Sequence, residues 1–458
     1  MARKKKIIEM EIKETIFPNK SIGEYEGNTV ICKGGIKGQV VRVLLNRRKG
    51  DYIEGRILET LENSPLETEV GCPHQGECGG CTYQRLSYEN ELKYKETQVL
   101  DLFTKAEIEG FNYLGIEGSP NIIGYRNKME YTFGDERKDG PLSLGMNKVG
   151  RYYEVVEIPQ CNIADRDSTI ISQKVLEYFR KLGIPQYNKR RHEGVLRHLV
   201  IRKALSTGEI LVNLVTSSQG EIDIDEFKNM LLQSNEIQGE IVGIFHTIND
   251  GLSDVVAADD LKLIYGRDYV VEEILGLKFK ISPFSFFQTN TLGAEKLYSI
   301  VREFVGDKRG IVFDLYSGTG TIAQILSLIC EKVIGIEIVE EAVGKANENA
   351  KLNGLDNVEF IAGDVLKAVD TLEEKPDLII IDPPRDGIHP KAINKIIDFN
   401  PDTFIYVSCN PVTLVRDLKV FESRGYKVDK VKLMDMFPRT RHVESIILMT
   451  YCGDEEKK

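Results

Sequence analysis

The 458-residue sequence has no tryptophan and only six histidines. It also has no apolar stretch close to the roughly 18 residues that a membrane-crossing helix requires, which excludes a helical membrane protein. The basic start, Met-Ala-Arg-Lys-Lys-Lys, is not followed by the apolar core of a secretory leader, so a cytoplasmic protein is expected. No internal repeat or low-complexity linker breaks the chain. There is neither a Gly-x-Gly-x-x-Gly fingerprint nor a P-loop, which points away from dehydrogenases and NTPases. An excess of positive charge is missing too. The net charge of −11 argues against binding nucleic acid with the whole surface, but it leaves room for local basic faces. The length suggests two to three domains with an ample core.

Cysteine is the residue that is concentrated. Eight are present, and Cys72, Cys78 and Cys81 crowd into ten residues of the glycine-rich run Gly71-Cys-Pro-His-Gln-Gly-Glu-Cys-Gly-Gly-Cys-Thr82. In a cytosolic protein such clustering points to metal rather than to disulfides. Cys161, in Ile158-Pro-Gln-Cys-Asn162, is the natural fourth ligand. Four thiolates suit either zinc or a [4Fe-4S] cluster. The three-plus-one spacing favours iron–sulfur, since zinc knuckles present two close pairs. His74, inside the loop, reads as structural.

From about residue 8 to 60 the chain alternates apolar with polar and is rich in glycine. Val30–Cys32, Gln39–Leu45 and Tyr52–Leu58 read as short strands of a small β-barrel. Residues 1–66 carry thirteen Lys/Arg against nine Asp/Glu, and Arg47-Arg48-Lys49-Gly50 reads as a basic hairpin tip. A small basic barrel suits single-stranded nucleic acid, and this one resembles the TRAM domain of RNA-modifying enzymes. Residues 67–272 form an expected second domain, rich in β-structure and holding the cysteine loop. Its segment 92–123 is expected to be shared with the domain that follows. Arg126, Asn127 and Lys128 lie on polar strand faces expected to face a nucleic acid, and the basic stretch Lys189–Lys203 is expected to contact phosphates.

Residues 273–458 alternate strands with helices, and this pattern predicts a doubly wound α/β domain. Ile311-Val-Phe-Asp-Leu-Tyr-Ser-Gly-Thr-Gly-Thr321 is a strand running into a glycine turn, where Gly318 and Gly320 let a ligand approach the backbone. Val333-Ile-Gly-Ile-Glu337 ends in an acid placed to bind ribose hydroxyls. Asp364 and Asp382 end two further strands, the latter in Asp-Pro-Pro-Arg385. In this order the chain resembles S-adenosylmethionine-dependent methyltransferases. Arg385 stands where amino-methylating enzymes carry an aromatic residue, so attack through a ring carbon is favoured over attack through an amine. The fifth strand, Phe404–Val407, stops at Ser408-Cys409-Asn410-Pro411, and a thiol at this ligand-binding edge can act as a nucleophile.

Carbon 5 of uracil is a poor nucleophile until a thiolate adds to carbon 6, and a base must then remove the carbon 5 proton. Glu444, between the turn at Phe437–His442 and the apolar strand that follows, is the candidate base. The cysteine loop, Phe287-Gln288-Thr289-Asn290, the glycine turn, Asp-Pro-Pro-Arg, Ser-Cys-Asn-Pro and His-Val-Glu appear in that order. In this the chain resembles the RNA (uracil-5-)-methyltransferase family, specifically its iron–sulfur members acting on 23S ribosomal RNA. The resemblance implies a class I methyltransferase domain, with Cys409 as nucleophile and Glu444 as proton acceptor. It also implies cofactor contacts from Gln288, Tyr316, Glu337 and Asp382, and cluster ligation by Cys72, Cys78, Cys81 and Cys161. The expected partners are S-adenosylmethionine, a [4Fe-4S] cluster and an unstacked or flipped RNA base, with the chain a monomer and no membrane involved. The rivals are the same reaction on the T-loop uridine of tRNA, a cytosine methyltransferase carrying zinc, and a non-catalytic RNA-binding protein.

Overall fold

The structure is a computed structural model that describes residues 6–69, 71–253, 260–306, 310–368, 372 and 374–453. The chain packs as two compact units, one of Met1–Gly71, Thr82–Gly118 and Lys375–Lys458, the other of Cys72–Cys81 and Ser119–Glu374. No helix among the described residues is long and apolar enough to cross a membrane.

In the first unit, six strands between Ile7 and Glu62 form one sheet. Alternation drives it: Ile8 and Met10 of strand Ile7–Glu11 point inward, joining Val30, Cys32, Val41 and Val43, while their neighbours face water. The sheet curls on itself. A Cβ at Gly23 would lie 2.7 Å from both the Glu11 carbonyl oxygen and Met10 Sδ, on a strand that is not its neighbour in the sheet. The same unit holds strands in the order Leu378–Ile381, Thr403–Ser408, Glu444–Tyr451, Tyr426–Met434 and Asn112–Glu117. Thr403–Ser408 is buried throughout, as expected for a strand covered on both faces, and runs parallel to Leu378–Ile381 but antiparallel to Glu444–Tyr451. Asn410 then caps the helix Pro411–Ser423, its side chain accepting from the Val412 N–H, with proline in the first turn where no backbone donor is needed.

In the second unit a seven-stranded sheet is built from strands between Lys128 and Gly266. Tyr131, Phe133, Ile171, Phe179, Leu199, Val212 and Leu214 form part of its core. The unit also carries three parallel strands, Ile311–Leu315, Lys332–Glu337 and Val358–Ala362, linked by helices Thr321–Ser327 and Glu340–Leu352. This is the strand–helix alternation expected of the methyltransferase region.

Candidate active site

The nucleophile candidate lies where an apolar strand runs out. Ser408 pairs with Ser445 across the antiparallel ladder, so Cys409 and Glu444 fall at the next facing positions of the same edge. Both are pulled from water to different degrees. Glu444 is 4% exposed, and burial, together with the charge of Asp382, pushes its carboxyl up to about 8. Cys409 is half-buried. Burial comes first, then the charges of Glu444 and Asp382, in pushing its thiol up to about 12. Burial also raises Asp382, to about 7. Arg385 opposes these shifts: its guanidinium favours ionisation of both Cys409 and Glu444. The backbone that carries Arg385 is tied to the cysteine turn, because its carbonyl accepts from Asn410 Nδ2 at 2.8 Å and Thr413 Oγ1 at 3.2 Å. Its guanidinium also lies 3.4 Å from His442 Nδ1. In the sequence Arg385 stands out only for the aromatic residue it replaces; its electrostatic effect on the thiol is a tertiary fact.

The turn leading into Glu444 is held by a buried ionic network. Lys95 Nζ sits 2.8 Å from both Glu91 Oε1 and Asp435 Oδ1, all three being at most 1% exposed. Glu91 in turn accepts from the Arg439 N–H at 2.6 Å, and Arg439 adopts φ +69. A non-glycine residue in this left-handed region persists only where its surroundings fix it.

In the second unit the glycine turn has the geometry of a ligand cradle. Gly318 and Gly320 take φ +55 and +74, and a Cβ at Gly318 would point toward open space, with only the Phe286 ring within 4 Å. Glu337 accepts from the Gly318 N–H at 2.9 Å and from the Val339 N–H at 3.0 Å, which fixes its carboxylate beside the turn. Tyr316 adopts φ +66, a strained conformation for an aromatic residue at a strand end. Asp364 begins a short helix, where its carboxylate accepts from the Leu366 N–H. Gln288 lies on a segment anchored at several points. Arg202 donates to the Ser285 carbonyl at 2.7 Å, the Asn127 N–H to that of Thr289 at 2.9 Å, and Asn127 Nδ2 to Thr291 Oγ1 at 2.9 Å.

Those anchors correct part of the expected RNA surface. Asn127 and Arg202 are buried, and they brace the Gln288 segment rather than meet solvent. Arg197 is 3% exposed and donates to the carbonyls of Asn249, Gly251 and Ser253, while Lys203 pairs with Asp165 and Asp167. Lys128 pairs with Glu130. Lys189, Arg190 and Arg191 remain at the surface.

The four expected cluster ligands are brought together in part. As thiolates, Cys78 would feel the charge of Cys161 and Cys72, and Cys161 that of Cys72, with burial raising Cys78 and Cys161. The donor chemistry is right for a thiolate-held centre, but among the described residues no group of three or more His, Cys, Asp or Glu is set to hold a metal ion. The His74 ring nitrogen accepts from the Gln160 N–H at 3.3 Å.

A family model described as tRNA (Uracil-5-)-methyltransferase matches residues 246–451. An uncharacterized RNA methyltransferase of Clostridium tetani is 52% identical over 97% of this chain and 98% of its own length. One from Caldanaerobacter subterraneus subsp. tengcongensis is 50% identical over 97% and 99%. This chain belongs to the RNA (uracil-5-)-methyltransferase family. Among solved structures, Pyrococcus abyssi tRNA (uracil-54, C5)-methyltransferase in complex with S-adenosyl-L-homocysteine matches with a TM-score of 0.73 at 26% identity, covering 96% of this chain and all of that one. This chain therefore has the class I methyltransferase fold. The glycine turn, the fixed Glu337 carboxylate and the strained Tyr316 fit a nucleoside-bearing cofactor.

Proposed function

We propose that this methyltransferase acts on carbon 5 of a uridine in 23S ribosomal RNA, with Cys409 as nucleophile and Glu444 as base. The observation that carries the reading is the facing placement of Cys409 and Glu444, with the Arg385 charge favouring the thiolate. Arg385 stabilises the thiolate against burial and two acids. The Cys409 sulfur adds to carbon 6 of an unstacked uracil, the ring's π electrons move to the carbonyl oxygen, and carbon 5 becomes nucleophilic. S-adenosylmethionine supplies, when bound, a methyl group on a positively charged sulfur. Once carbon 5 has taken the methyl, Glu444 removes the carbon 5 proton, the double bond re-forms and Cys409 leaves. Gln288, Tyr316, Glu337 and Asp382 are the residues we assign to cofactor binding.

We assign Cys72, Cys78, Cys81 and Cys161 to a [4Fe-4S] cluster, on their spacing and on the mutual electrostatic reach of three of them. Methyl transfer needs no electron, so the cluster's part in this proposal is to staple its loop. Anaerobically purified protein should be brown with about four irons per chain; a colourless protein with one zinc would overturn the assignment.

The second reading is a tRNA uridine, favoured by the likeness to the Pyrococcus abyssi enzyme, whose name specifies uracil-54 of tRNA. Mapping 5-methyluridine in both RNAs from a strain lacking this gene separates the two. The ribosomal reading predicts loss from 23S RNA with tRNA unchanged, and the converse pattern would replace it.

A further inference from the structure

Tyr152 and Tyr153 are consecutive residues on one strand, yet both face solvent, at 52% and 48% exposure. A regular strand turns neighbours to opposite faces, so two adjacent exposed rings need a local cause. The cause is a bulge. The hairpin Leu142–Lys148 and Arg151–Glu157 turns through Val149-Gly150, with Gly150 at φ +69, and begins with Arg151 opposite Lys148. The next pair is Val155 opposite Asn147, so Tyr152, Tyr153 and Glu154 are extra residues on one side. Bulges of this kind re-aim side chains and recur beside functional sites.

Cations from a distant segment meet the rings. Lys189 Nζ lies 4.8 Å from the centre of Tyr152, and the Arg190 guanidinium 4.1 Å from that of Tyr153. The two rings contact edge to face, 5.4 Å between centres. Arg190 and its neighbour Arg191 sit on a tight turn in which Asn188 Oδ1 accepts from both their N–H groups, which presents the two basic side chains at the surface. The hairpin is stitched to the cysteine loop as well, by the Gly79 N–H to the Asn147 carbonyl at 3.0 Å and the Val149 N–H to that of Glu77 at 2.8 Å.

Half-exposed rings backed by cations have a chemistry: a base stacks on the ring while its phosphate meets Lys or Arg. We propose that Tyr152, Tyr153, Lys189 and Arg190 form a stacking platform for unpaired nucleotides of the substrate RNA, braced by the cysteine loop. This rests on the RNA-methylating reading of the site and adds the place where single-stranded RNA beside the target is gripped. A folded duplex, whose bases are already stacked on each other, has no free faces to offer it.

The test uses the full-length protein, a short fluorescein-labelled oligouridine and a labelled RNA hairpin duplex. Tyr152→Ala/Tyr153→Ala should weaken oligouridine binding roughly tenfold or more, and duplex binding little. Tyr152→Phe/Tyr153→Phe, which keeps the rings, should restore it. Lys189→Ala/Arg190→Ala should make the salt dependence of binding shallower, by about 0.7 in log–log slope for each phosphate no longer neutralised. Unchanged thermal melting shows that the variants fold. Oligouridine affinity unchanged by loss of both rings overturns the platform, as does equal weakening by the Phe pair. Because oligouridine carries no target-site information, these outcomes hold whichever RNA proves to be methylated.

Discussion

Cys409 and Glu444 occupy facing positions at one edge of an antiparallel strand pair, one step beyond the Ser408–Ser445 pairing. Backbone register therefore sets the points from which the proposed nucleophile and base emerge, with Cys409 directly after its strand and Glu444 first in its own. Glu444 also pairs with Met434 on its other side, which ties the base to a second strand.

Glu444 should contribute to the pH dependence, together with the Cys409 thiol that burial pushes up to about 12. The buried Glu444 carboxyl keeps a proton up to about pH 8, whereas in the unfolded chain it ionises near 4.5. The stability this difference contributes is complete below pH 4.5 and is lost as pH rises toward 8. Glu444→Gln should therefore melt like the native protein below pH 4.5 and be more stable by on the order of 4 kcal/mol above pH 8. Methylation by the native enzyme should increase with pH toward 8 as the base form appears. Melting curves and a pH–rate profile check both; a flat profile between pH 6 and 8 would remove Glu444 as the base.

Arg385→Ala removes the cation that counters burial at Cys409 and Glu444. The expected result is a fall in kcat of about tenfold or more, with the rate profile moved to higher pH and cofactor affinity retained. Steady-state kinetics across pH read this directly, and Arg385→Lys should recover part of the loss.

Asn127→Ala should affect the cofactor and leave RNA binding alone. Asn127 braces the segment that carries Gln288 through Thr289 and Thr291. Its loss should cost about 1–3 kcal/mol of stability and raise KM for S-adenosylmethionine while KM for RNA stays level. A change in KM for RNA alone would return Asn127 to the RNA surface.

Lys95→Met leaves Glu91 and Asp435 buried without their shared cation. The expected cost is about 3–5 kcal/mol in denaturant unfolding. Activity should fall further than the folded fraction does, because the same network fixes the turn before Glu444.

The strand ends are legible in the sequence because the signal is local. Phe404–Val407 and Leu378–Ile381 are apolar runs that stop at turn-formers, and the residues at their ends follow directly. The basic stretch Lys189–Lys203 misleads because charge is no measure of exposure. Arg197 and Arg202 are held by carbonyls of segments roughly fifty to eighty residues away, a pairing that no local pattern encodes. Lys95 and Asp435 are 340 positions apart and equally invisible. Tyr152 and Tyr153 leave a readable trace, two adjacent aromatics after a Val-Gly turn, but their exposure depends on a bulge that only the ladder reveals.

In the proposed reaction Cys409 forms a covalent bond to the substrate base, and that bond can be trapped. Glu444→Gln, mixed with substrate RNA and S-adenosylmethionine, should stall after methyl transfer because the carbon 5 proton has no acceptor. Mass spectrometry should then find a methylated uridine attached to the peptide containing Cys409, and nothing attached in the Cys409→Ala/Glu444→Gln double variant. Methylated RNA released at the native rate by Cys409→Ala, with no adduct on any cysteine, would contradict the account.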